Sequence, residues 1–164
     1  MRPPAATRLQ RRVKRFPGRC AVVWGDFVLD EYWRCRSSRV SREAPVLVLD
    51  YQDRVVQGGG AANAALNLAA LGARVAAVGW VGADEAGHEL RRLLERAGVD
   101  TLGLLEHDEA PTVVKTRVVA GSPHTARQQV VRVDRGAPFV AAGRARAALL
   151  EAAARAAAGA APGG

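Results

Sequence analysis

The run VVQGGGAANAALNLAALG, residues 55–72, sets three consecutive glycines between a β-branched pair and a stretch of strong helix formers. Bare glycine backbone lets N–H groups approach a ligand at van der Waals distance, and a helix N-terminus adds partial positive charge. The junction therefore suits hydroxyls or anions. The same glycines equally serve a helix that must pack closely on a strand. Asn63, one turn into the helix, is a short amide and a poor helix former unless it caps or binds. Two acids, Asp26 and Asp30, stop the apolar run CAVVWG, a placement that suits a site because ligands collect at the carboxyl ends of strands in open α/β sheets. Asp26 reads equally well as a cap or an ion-pair partner. The glycine run is not a P-loop, since it lacks GxxxxGK[ST]. Gly58-x-Gly60-x-x-Asn63 matches a dinucleotide fingerprint only with its third glycine replaced, and the nearest downstream acid, Asp84, opens a helix instead of ending a strand.

These residues need elements to hold them. A short basic helix around residues 7–15 precedes a turn and the buried strand CAVVWG. The stretch EYWRCRSSRVSREAPVLVLDYQDRVV is polar, then alternating, and reads as a small, partly exposed antiparallel element. From Gly58 the pattern becomes a helix closed by Gly72, a buried strand ARVAAVGWVG, an amphipathic helix between Asp84 and Gly98, and then VDTLGLLEH. That alternation is the mark of an α/β domain with a parallel sheet. Two β-rich runs, TVVKTRVVAG and ARQQVVRVDRG, are joined by SPHT, short enough for a hairpin. The tail is an alanine-rich helix that frays in glycine and proline.

Composition narrows the class. With 164 residues and 49% apolar content the chain can bury one modest core. Its net charge of +8 and pI near 10.9 invite a nucleic-acid partner. However, much of the excess sits in the acid-free leader MRPPAATRLQRRVKRFPGR, and no helix-turn-helix, zinc finger or basic-aromatic RNA-binding pattern accompanies it. A solvated basic helix is the expected reading; an organellar transit peptide would not run straight into the first strand. Cys20 and Cys35 lack CxxC or histidine partners at ligand spacing, so neither a disulfide framework nor a zinc site is expected. No apolar run approaches bilayer length. A reducing, cytoplasmic setting is expected.

GGAANAALNLAALGARVAAVGWVG resembles the first signature of the ribokinase/PfkB-type carbohydrate kinases, with the glycine pair, Asn63, Gly72 and Gly82 at family spacing. The upstream GDFVLDEYWRCRSSRVSREAPVLVLD and downstream TVVKTRVVAG…QQVVRVD are similar to the heptose 7-phosphate kinase subfamily, that of the kinase domain in bifunctional bacterial heptose enzymes. The likeness spans roughly residues 8–135. It implies a ribokinase-like α/β fold: a partial parallel sheet flanked by helices, with a small β lid. The expected division is a basic N-terminal helix (1–19), the α/β core (20–35 and 57–110), the lid (36–56 and 111–134) and an alanine-rich tail (135–164). It also implies that Asp30, Gly59, Gly60 and Asn63 embrace a sugar's hydroxyls. Carboxylate, amide and bare main chain suit that task physically.

A heptose 7-phosphate carries a dianion, and the cations on the lid strands are Lys115, Arg117 and Arg132. Lys115 and Arg117 share one face by the period of two. Their alternative role is to discourage edge pairing, which is also the reading for Arg36, Arg39 and Arg42. His88, His107 and His124 read as surface or loop residues, and Trp24, Trp33 and Trp80 as packing. The resemblance further implies ATP and Mg2+, phosphorylation at the anomeric oxygen in an ADP-heptose pathway, and a homodimer through the lid. Yet the second family signature, DTxGAGD, which carries the catalytic aspartate and anion hole, is not in the sequence. The expectation is a truncated, sugar-binding half, its other half missing through gene decay or frameshift or supplied by a separate polypeptide. A non-catalytic sugar-phosphate binder or dimerisation module is the rival.

Overall fold

The computed structural model describes residues 5–108, 110–121, 126–137 and 139–160; His124 and the terminal glycines lie outside them. A basic helix α1 (Ala5–Val13) leads to β1 (Cys20–Trp24). Then follow β2 (Phe27–Val40), β3 (Leu47–Gly60), α2 (Ala61–Ala70), β4 (Arg74–Gly82), α3 (Glu85–Arg96) and β5 (Asp100–His107). The chain continues through β6 (Val113–Gly121), β7 (Gln128–Arg135) and α4 (Gly143–Ala160).

The strands form two sheets. The first is parallel, in the order β1-β4-β5. Its strands are near-continuous apolar runs because helices cover it. From α2 and α3, Ala62, Ala65, Leu90 and Leu94 join Val75, Ala77, Val81 and Leu104 in the main core. On the other side α4 packs on all three strands, with Ala152 buried. Helix α3 begins at Asp84, whose side chain accepts from Gly87 N at 2.8 Å.

The second sheet is mixed, in the order β3-β2-β6-β7. β2 pairs antiparallel with β3 and parallel with β6, and β6 pairs antiparallel with β7. The sequence pattern anticipates the β6–β7 pair and an antiparallel element upstream, but not the parallel β2–β6 ladder between them. That ladder joins segments far apart in the chain, so no local pattern announces it.

The two sheets meet at a narrow joint. Only Gly25 and Asp26 separate β1 from β2, and β3 runs into α2 with no loop. Ala61 N donates to Asp26 O at 2.9 Å across that joint. The glycine-to-helix junction and both candidate acids therefore lie where the sheets connect.

Candidate functional site

The joint fixes the roles of the three glycines one by one. A Cβ on Gly58 would stand 2.7 Å from Leu66 Cδ1 and 2.9 Å from Ala62 Cβ, so this glycine serves helix-on-strand packing. A Cβ on Gly59 would stand 2.8 Å from Asp30 Cγ and 2.9 Å from both carboxylate oxygens. The bare main chain there admits the Asp30 carboxylate. Gly60 has φ +54°, and a Cβ would come within 2.5 Å of Asp26 O. Only glycine tolerates both conditions.

Placing Asp30 corrects one expectation. Asp26 follows the end of β1, but Asp30 does not; it is the fourth residue of β2, in register with Gln57 of β3 and Lys115 of β6. The chain breaks at Gly25–Asp26 and starts a new strand in the other sheet. Directly opposed residues share a sheet face. One face of the second sheet thus carries Asp30, Gln57, Lys115 and Asp134, and beside them Tyr32, Arg117 and Arg132.

The structure brings Asp30, Gly59 and Arg117 together. Arg117 Nη1 lies 2.7 Å from Asp30 Oδ1, with both side chains about one-fifth exposed. The hydrogen bond to Asp30 outweighs partial burial and holds the Arg117 guanidinium above its ordinary pKa. Arg117 also sits over the Tyr32 ring, 5.3 Å from its centroid. These two partners fix its planar fork against the sheet.

The other two cations differ. Arg132 is paired with Asp134, Nε to Oδ1 at 2.8 Å and Nη2 to Oδ2 at 3.1 Å. Lys115, partly buried, has no carboxylate partner among the described residues. It is the cation of this face left for a ligand.

Asn63 is exposed on the first turn of α2, and its Oδ1 accepts from Asn67 Nδ2 at 3.0 Å. The amide hydrogens of Asn63 remain for a ligand. Asp26 lines a cavity of about 150 Å3 at the carboxyl ends of the parallel strands, together with Trp24, Phe27, Trp80, His107 and Phe139. A larger cavity, about 490 Å3, lies under α4 at the opposite strand ends, beside Cys20, Arg74, Asp100 and Arg155. None of the candidate site residues lines the larger one.

Other expectations find particular places. His88 is exposed on α3, whereas His107 ends β5, where its Nδ1 accepts from Ala110 N and its ring contacts Trp80 and Phe139. Trp33 packs edge-on against Tyr51; Trp24 is 53% exposed. Body arginines are extensively paired, as in Arg34–Asp53, Arg36–Asp50 and Arg91–Glu106. No helix among the described residues is long and apolar enough to cross a membrane.

Two features escape sequence reading. Asp84 is more than a cap: it also accepts from Thr112 N and Oγ1 at 2.9 and 2.7 Å, tying α3 to the strand entering the second sheet. Burial raises its pKa, but the Thr112 and Gly87 hydrogen bonds outweigh this and lower it overall. Glu31, on β2 beside Asp30, is 3% exposed and gathers Arg54, Thr116 and Arg135. A charge inside an otherwise ordinary amphipathic strand is the only trace it leaves in the sequence.

Residues 21–137 match the profile described as pfkB family carbohydrate kinase. The chain belongs to that family. It is 49% identical over 115 residues to the bifunctional protein HldE of Geobacter metallireducens, covering 70% of this chain and 22% of that protein. To the D-beta-D-heptose 7-phosphate kinase of Bordetella bronchiseptica it is 46% identical over 113 residues, covering 69% and 34%. It therefore spans about a fifth to a third of the length of these relatives. Among solved structures, Arabidopsis thaliana ribokinase complexed with ribose and ATP superposes with a TM-score of 0.53 at 20% identity, covering 73% of this chain and 36% of that one. A carbohydrate kinase from Agrobacterium tumefaciens gives 0.53 at 21%, covering 71% and 35%. The fold is ribokinase-like.

The family implies nucleotide binding. At the N-terminus of α2, Ala61 N donates to the Asp26 carbonyl, and the Asp30 carboxylate beside Gly59 is paired with Arg117. No group of three or more His, Cys, Asp or Glu among the described residues is placed to hold a metal ion.

Proposed function

We propose that this chain supplies the sugar-binding and lid portion of a carbohydrate kinase whose acceptor is a sugar phosphate, a heptose 7-phosphate, phosphorylated by ATP at the anomeric oxygen in an ADP-heptose pathway. The Asp30 carboxylate, laid on the bare main chain of Gly59 and braced by Arg117, carries this reading. An ionised carboxylate accepts hydroxyl hydrogen bonds, and a fixed one holds a polyhydroxy ring in a single orientation. Asn63 supplies amide donors on the adjoining helix turn, and glycine at position 59 leaves room for the Asp30 carboxylate beside it. Lys115 takes the 7-phosphate as a point charge, while Arg117 and Arg132 shape that face through Asp30 and Asp134. Asp26 faces the neighbouring cavity.

The likeness to the heptose 7-phosphate kinase of Bordetella bronchiseptica supports the choice of sugar. Phosphoryl transfer needs a nucleophile positioned against the γ-phosphate and cations to neutralise charge. We assign those parts to the remainder of the enzyme, on a longer polypeptide or a separate one. The second sheet forms the lid, excluding water over the sugar, and offers its exposed β7 for pairing two copies.

The same pocket supports a second reading, a non-catalytic sugar-phosphate binder, because the contacts proposed for sugar and phosphate all lie on this chain's own residues. ADP release that depends on a sugar phosphate supports the kinase; binding without turnover supports the binder. Both require the pocket. Titrating heptose 7-phosphate into the chain by calorimetry should give saturable binding that Asn63→Ala abolishes, and unchanged affinity in that variant refutes the assignment.

A further inference from the structure

The underside of the lid sheet holds a cluster that the sugar pocket does not use. Neighbouring residues on a strand point to opposite faces, so with Asp30 turned to the site, Glu31 is turned beneath it. There its Oε2 accepts from Thr116 Oγ1 at 2.5 Å and from Arg135 Nη2 at 3.2 Å, and its Oε1 accepts from Arg54 Nε. Arg54 in turn spans to Glu89 of α3, Nη1 to Oε1 at 3.0 Å and Nη2 to Oε2 at 2.6 Å. One carboxylate thus joins β2 to β3, β6 and β7, and through a forked arginine reaches the core helix α3.

The placement has a purpose that stability alone does not explain. A buried charge is costly unless every lone pair is met, and replacing such a cluster by apolar side chains is often neutral or stabilising. What it does provide is register and orientation. Arg54 stands on β3 a few residues before Gly59, and β3 continues into α2 without a loop. The lid therefore has three tethers to the core: the glycine joint, Asp84–Thr112 and Arg54–Glu89. Of these, Arg54–Glu89 is the tether that acts on β3, the strand that carries Gly59.

We propose that Glu31 is a positioning residue for the sugar pocket, clamping the lid strands to α3 through Arg54 so that Asp30 is held against Gly59 and within reach of the ring bound at Asn63. This rests on the sugar-pocket reading. Burial raises the Glu31 pKa, but bonds from Thr116, Arg54 and Trp33 outweigh it and keep the group charged.

The test uses the whole chain and Glu31→Gln, which keeps the shape and the Thr116 contact. Heptose 7-phosphate affinity, measured by calorimetry, should fall about five- to tenfold, and this loss should vanish when Asp30→Asn is already present. A merely structural role gives the same loss in both backgrounds and overturns the proposal. A second readout needs no ligand. In 1H–15N spectra the amides of Asp30, Gly59 and Asn63 should shift while those of β4 and β5 stay, and unshifted amides in the pocket overturn the proposal. If the parent chain binds no heptose 7-phosphate yet those amides shift, the clamp stands and the sugar reading falls. Should Glu31→Gln fail to fold, Glu89→Gln cuts the clamp at its outer end and should produce the same shifts, smaller.

Discussion

The two sheets of this protein are held by different forces. In the parallel sheet, Val78 and Ala77 are fully buried, and Leu90 and Leu94 of α3 close the layer over it. In the second sheet, buried and partly exposed positions alternate along β6, and ion pairs cross from strand to strand. Burial is non-directional and tolerates sliding; ion pairs and hydrogen bonds specify register. The sugar pocket proposed above, which would present several polar groups at fixed spacing, draws on the second kind.

The sharpest way to break the contrast is to cut a side chain from the first region. Leu90→Ala should destabilise the chain by about 2–5 kcal/mol, read as a lower denaturant midpoint, because a fully buried residue at the helix–sheet layer leaves a cavity. A loss near zero would mean that the parallel sheet is not the stabilising half. In the lid, by comparison, the largest changes should be in binding. Lys115→Met should weaken a phosphorylated sugar by about 1.5 kcal/mol and leave the unphosphorylated sugar nearly unaffected. Equal losses count against its assignment to the phosphate.

The junction between the regions responds to pH. Asp84 and Glu31 both have folded pKa values below their ordinary ones. A depressed carboxylate contributes stability that is fully present above its unfolded pKa, about 4, and is lost as pH falls through the lower folded value. Acid should therefore destabilise the chain below about pH 4. Thr112→Val, which removes the hydroxyl bonded to Asp84, should cost about 1 kcal/mol at neutral pH and flatten this acid limb in thermal melts. At the far end of the scale, Arg36→Ala removes an exposed pair with Asp50 and should change stability by less than about 0.5 kcal/mol. A larger effect there would show that the outer lid is more cooperative than its exposure implies.

Much of the frame is legible residue by residue. Gly72 and Gly98 close their helices with φ of +89° and +76°, and Asp84 opens α3, each where local chemistry places a cap. The β6–β7 pairing follows from two alternating runs and a short connection. The pocket is legible in part. Asp30, Gly59 and Lys115 are singled out by residue type, but the position of Asp30 within β2 depends on where β1 breaks, and apolar Phe27–Leu29 continues the pattern without a visible stop. The clamp around Glu31 is hidden because Thr116 lies 85 residues away in sequence.

The sequence by itself determined the alternation of elements, the caps, the residue types from which the proposed sugar pocket is built, and the resemblance that the family match bears out. These depend on backbone preferences and on side chains only a few positions apart, which act before the chain has folded. Tertiary structure alone decided that β2 lies parallel to β6, that Asp30 is braced by Arg117 while Lys115 has no carboxylate partner among the described residues, and that Glu31 ties the second sheet to α3 through Arg54. Such pairings join residues that become neighbours only once the sheets have formed, so no local pattern encodes them.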